Sequence, residues 1–157
     1  MHSRTWAPVQ APALILISLL ACSEPSDQGD PVRPDEPARG GWQRAVGMID
    51  NGGITVDPLV VPDTVKSGVP FTAIVTTFGS TACIRPDRSQ VEETGLQIGI
   101  TPYDSVWSGS PPCLPGWEGY PRSVELTFAT PGSAVVRLHG RSFTGDLVME
   151  QPVTVQP

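Results

Sequence analysis

The sequence has no apolar run long enough to cross a bilayer, which takes about 20 residues; its longest is residues 13–20 (ALILISLL). No segment sustains helical periodicity over the roughly ten residues a helix needs. Basic residues are scarce: 10 Lys and Arg stand against 16 Asp and Glu, a net charge of −6. Without a basic patch nothing invites nucleic acid, and an acidic body gains nothing from an anionic membrane surface. Only two histidines and three cysteines are present, too few soft ligands to suggest a metal centre. Gly-x-Ser-x-Gly, HExxH, a P-loop and GxGxxG are all absent, so no cofactor is implied.

Glycine (16) and proline (18) are abundant instead, together about a fifth of the chain. Both disfavour helix interiors, and chain breaks at this density suggest many short strands joined by turns. The length, 157 residues, fits one folded domain.

The first residues read as an export signal. Residues 1–12 are polar with His2 and Arg4, residues 13–20 are apolar, and Ala21-Cys22 follows. That run matches the central region of a signal peptide. The ending Leu19-Leu20-Ala21-Cys22 resembles the lipobox of bacterial lipoproteins. The resemblance implies that residues 1–21 are removed and that the Cys22 sulfur carries a diacylglycerol, with two or three acyl chains in all. Two chains give a lasting anchor where one is marginal. Ser23, standing where Asp would signal retention, implies the outer membrane if the host is Gram-negative. The plain alternative is an ordinary secretory signal that happens to contain a cysteine. Cleavage before Cys22 would remove Arg4 and leave the mature chain more acidic still.

Residues 22–41 continue as CSEPSDQGDPVRPDEPARGG. Such a segment cannot bury enough apolar surface to offset its ordering entropy. It reads as a disordered tether, with a reach of at most about 60 Å extended and nearer 25 Å as a coil. With Cys22 acylated, Cys83 and Cys113 remain, and an even pair in an exported chain reads as a disulfide.

Residues 42–157 read as the folded domain. Residues 96–100, 124–128 and 134–139 alternate with period two, as do Val153 and Val155, the mark of half-buried strands. Residues 71–78 (FTAIVTTF) are β-branched and aromatic and predict a central strand. Pro58 within residues 54–61 predicts an edge strand or bulge, and a short first strand near residues 44–49 fits the pattern. Asn51-Gly52-Gly53, Ser67-Gly68, Gly79-Ser80 and Thr144-Gly145-Asp146 are turn signals, and Pro131-Gly132 reads as a hairpin. Together they predict an all-β antiparallel sandwich of about seven or eight strands; a small closed barrel is the alternative. The stretches GVPFTAIVTT from Gly68 and TPGSAVVRLHG from Thr130 resemble Ig-like domains of extracytoplasmic bacterial proteins. The Ig hallmark is an inter-sheet disulfide on a core tryptophan, whereas Cys113 sits in a Gly/Pro-rich loop, so this bridge is expected to staple a loop.

Candidate chemistry is sparse. A catalytic triad would have to use His139, which sits on an alternating strand and reads as a surface or interface histidine. Asp87, Glu92 and Glu93 fall in what reads as a polar loop and suggest solvation. Asp50-Asn51-Gly52 resembles a calcium loop only faintly and lacks the rest of the roughly twelve-residue pattern. The richest window is residues 103–120 (YDSVWSGSPPCLPGWEGY), with both tyrosines and two of the four tryptophans. Stapled through Cys113, Tyr103, Trp107, Trp117 and Tyr120 could present an aromatic platform, since rings with polar tips bind well at partner surfaces and stack on sugars; alternatively they fold back to cap the sandwich. The expected function is a non-catalytic binding or adaptor module held at the envelope by lipid, for a protein or envelope glycan. The alternative is a passive structural envelope lipoprotein.

Overall fold

A computed structural model describes residues 41–109, 113 and 116–157. The signal segment 1–21, Cys22 and the tether up to residue 40 lie outside the described residues, as do positions 110–112, 114 and 115 of the aromatic window. The described residues form no helix, as the glycine and proline content leads one to expect.

The described residues form nine strands: β1 (Trp42–Val46), β2 (Leu59–Val60), β3 (Thr64–Lys66), β4 (Phe71–Gly79), β5 (Ile84–Thr94), β6 (Gln97–Trp107), β7 (Glu118–Leu126), β8 (Gly132–Arg141) and β9 (Asp146–Gln156). They make two sheets in a sandwich-like arrangement. The larger has the order β1-β6-β8-β9-β3 with β5 also on β6, and the smaller has the order β2-β4-β7. The composition of β4 (FTAIVTTFG) suits its place between β2 and β7. Strict alternation fixes which face points inward. Ile98 and Ile100 of β6, Ala134, Val136 and Leu138 of β8, and Val153 and Val155 of β9 meet Ala73 and Val75 of β4 and Val124 and Leu126 of β7 in one core.

Pairing departs from the expected purely antiparallel pattern. β3 runs parallel to β9, and β6 runs parallel to β8 over Gln97–Ile100. Alternation reports which face of a strand is buried but carries no information about a partner's direction. Nor is Pro131-Gly132 a hairpin. β7 lies in the small sheet and β8 in the large one, so those residues carry the chain between sheets. The hairpin of β8 and β9 turns at Ser142–Gly145, where Ser142 N donates to Gly145 O at 2.6 Å. Of residues 54–61 only Leu59 and Val60 pair, both with β4. The expected polar loop around Asp87, Glu92 and Glu93 is strand β5, an outer strand of the large sheet. Its charges and Pro86 are what an outer strand carries to discourage further pairing, and they hide it from a hydrophobic-pattern reading.

At its far end β6 exchanges one neighbour for another. It pairs with β8 up to Ile100 and with β1 from Tyr103. The chain after β1 enters this gap: Gly47 N donates to Pro102 O at 2.8 Å, and Arg141 N donates to Gly47 O at 2.9 Å. Glycine is required there, because a Cβ on residue 47 would lie 2.4 Å from Thr77 Cγ2.

Candidate functional site

Chemically distinctive side chains gather toward one end of the domain, which holds the last residues of β4, β6 and β8 and the first of β1, β5, β7 and β9. The disulfide lies at this end. Cys83, in the turn after β4, bonds Cys113 in the β6–β7 connection, with Cα atoms 5.7 Å apart. The expected pairing is therefore present, and the bridge does fasten a loop, tying it to the turn that opens β5.

The four predicted aromatic residues do not form one platform. Tyr103 and Trp107 lie in β6 and Tyr120 in β7; only Trp117 lies in the connection between them. Tyr103 is half-buried, and its hydroxyl donates to Gln90 Oε1 at 3.4 Å. Tyr120 shares the inward parity of Arg122, Val124 and Leu126, and its hydroxyl is buried with no hydrogen-bond partner among the described residues. Desolvation, together with the charges of Glu118 and Asp104, raises its pKa above the ordinary tyrosine value.

Two ring pairs form instead, each with a residue that the sequence reading did not select. Trp107 stands opposite Trp42 in the β1–β6 register, with centroids 5.7 Å apart and planes at 57°. The guanidinium carbon of Arg85 lies 3.9 Å from the Trp42 ring centroid. Trp117 meets Phe143 from the β8–β9 turn, with centroids 5.3 Å apart and planes at 31°. These rings remain in solvent: Trp117 is 36% and Phe143 62% exposed. Gly52 lies beneath them, where a Cβ would come within 3.1 Å of Trp117 Nε1.

Beneath this end a polar cluster bridges the sheets. Asp104 occupies an inward position of β6, in phase with Ile98 and Ile100, and is 1% exposed. Its Oδ1 accepts from Arg122 of β7 at 2.5 Å and from Thr77 Oγ1 of β4 at 3.1 Å. Arg122 also donates to the carbonyls of Tyr103 (2.7 Å) and Asp87 (3.1 Å). A buried carboxylate needs such partners because removal from water is costly. Asp104 Oδ2 and Arg122 Nε are buried without partners among the described residues. The sequence signal for this cluster was available: extending the alternation of β6 by two further steps places an aspartate in the core.

The remaining candidates are occupied by local structure. His139 lies on the outward face of β8 above Gly99. Asp87 is hydrogen-bonded by Arg44 Nε at 2.6 Å, and this bond, aided by the Arg88 backbone N–H, holds its carboxyl below the usual carboxylate range. Glu92 accepts from Gln90 at 2.8 Å. Asp50 and Asn51 accept backbone N–H groups from Gly52 and Gly53 in successive Asx turns. Among the described residues no group of three or more His, Cys, Asp or Glu side chains is placed to hold a metal ion.

Fold and site together define an all-β, disulfide-fastened, sandwich-like domain with exposed rings at one end. Comparison with protein-family models, curated proteins and solved structures returns no match.

Proposed function

We propose that this chain is an extracytoplasmic lipoprotein, anchored through Cys22, whose Ig-like sandwich is a non-catalytic binding or adaptor module for a protein or envelope glycan. The lipobox-like Leu19-Leu20-Ala21-Cys22 supports the anchor, and the domain's size and paired sheets support the Ig-like assignment.

The observation that carries the binding reading is the Trp117–Phe143 pair. Two large rings, one from the β6–β7 connection that crosses between the sheets and one from the β8–β9 turn of the large sheet, meet in solvent, where folding gains little from them. Trp117 is positioned close to the stapled segment and Phe143 by a tight turn, so little side-chain or loop ordering is left for binding. An exposed pair of tilted rings suits either a sugar face or an apolar side chain of a protein partner.

Co-purification from detergent-solubilised membranes tests this, comparing wild type with Trp117→Ala/Phe143→Ala. The expected result is a stoichiometric partner, protein or glycan, with wild type and none with the variant. Thermal stability should change by no more than about 1 kcal/mol, as for surface substitutions. A passive envelope lipoprotein would yield no partner with either protein.

A further inference from the structure

We propose that Trp42, Trp107 and Arg85 form a bilayer-contact site that seats the domain on the interface of the membrane holding its own lipid; this rests on the lipid-anchor part of the reading above. The three residues lie on the outward side of the large sheet, apart from the Trp117–Phe143 pair. Trp42 keeps 37% of its surface in solvent. Indole rings with an apolar body and one polar N–H collect at the membrane–water boundary. Arginine, with its fixed fork of donors, suits lipid phosphate.

The point where the chain enters selects the occupant. Gly41 O accepts hydrogen bonds from both Ser108 N and Ser108 Oγ at 3.1 Å. Gly41 is therefore fixed beside Trp42 and Trp107, 19 residues after Cys22 in the sequence. If residues 23–40 behave as a flexible coil, acyl chains fixed at Cys22 would hold these rings at a root-mean-square distance of about 25 Å from the anchor point. Tethering turns a weak contact into an intramolecular one, with an effective concentration in the millimolar range for a short flexible linker. Two indoles and one guanidinium then suffice, where a free acidic domain would not stay bound. The net negative charge of the chain also points to short-range ring and phosphate contacts rather than long-range attraction.

The mature chain would keep three tryptophans, Trp42, Trp107 and Trp117, so in Trp117→Phe the emission reports this site alone. The lipidated protein is reconstituted into phosphatidylethanolamine–phosphatidylglycerol vesicles with and without brominated acyl chains, and flotation is measured alongside fluorescence. The expected result is flotation with at least a two-fold loss of emission in brominated vesicles, reduced in Trp117→Phe/Arg85→Ala. Flotation without quenching would overturn the seat while leaving the anchor intact, as would a protein partner protecting both rings in native membranes. Failure to float, or membrane retention unchanged in Cys22→Ser, would overturn the anchor and the seat with it.

Discussion

At the scale of single residues, the domain is most sensitive where polar atoms are buried. Arg122 is the hub joining Asp104, Thr77 and two backbone carbonyls across the sandwich. Removing either member of the ion pair strands the other, which costs about 3–5 kcal/mol. Asp104→Leu and Arg122→Met should each lower stability by about that amount in urea titrations, and the double variant by clearly less than the sum. Tyr120 behaves differently. Its raised pKa means that the unfolded chain loses this proton first, so stability present below about pH 10 is lost as the pH rises through the folded value. Melting temperatures should therefore fall above that pH in wild type, and Tyr120→Phe should weaken the fall. Because the hydroxyl has no partner among the described residues, that substitution should cost nothing at pH 7 or stabilise slightly. Of these residues the sequence reading selected only Tyr120, for its ring. Asp104 and Arg122 were not selected: Asp104 lies two steps past the alternation read at residues 96–100, and Arg122 two residues before that read at 124–128.

The elements were more visible than their partners. Alternation located β6, β8 and the end of β9, and composition located β4. β5 was hidden because both its faces carry charge, and β3 because three residues cannot display a period. Turn chemistry marked the turn at Thr144-Gly145-Asp146, which closes the β8–β9 hairpin, but mistook Pro131-Gly132 for a hairpin, since a crossing between sheets and a return within one use the same residues. Cysteine count supplied what strand patterns could not, the tie between the β6–β7 connection and the turn before β5. With a sequence separation of 30, chain-entropy reasoning assigns the bridge about 3.5 kcal/mol. Cys83→Ser/Cys113→Ala should lose stability of that order in chemical denaturation, and added reductant should then have no further effect. Trp117 should also become more open to aqueous quenchers, because the segment before it is no longer held.

For the whole molecule, the consequential arrangement is that Gly41, the first described residue, and both ring pairs share one end. On the lipoprotein reading, globomycin should block signal removal and leave a larger lipidated precursor on denaturing gels; an unchanged size would refute the lipobox. The clasp of Gly41 by Ser108 also determines how the domain carries load. A pull through the tether enters at Trp42, the terminal pair of the β1–β6 ladder. A partner gripping Trp117 and Phe143 would pull from the same end. Tension between them would load the Trp42–Trp107 end of the β1–β6 ladder and the Cys83–Cys113 cross-link. The domain would act as a mechanical coupling with its force path at the rim, yielding first by peeling β1 from Trp42 inward.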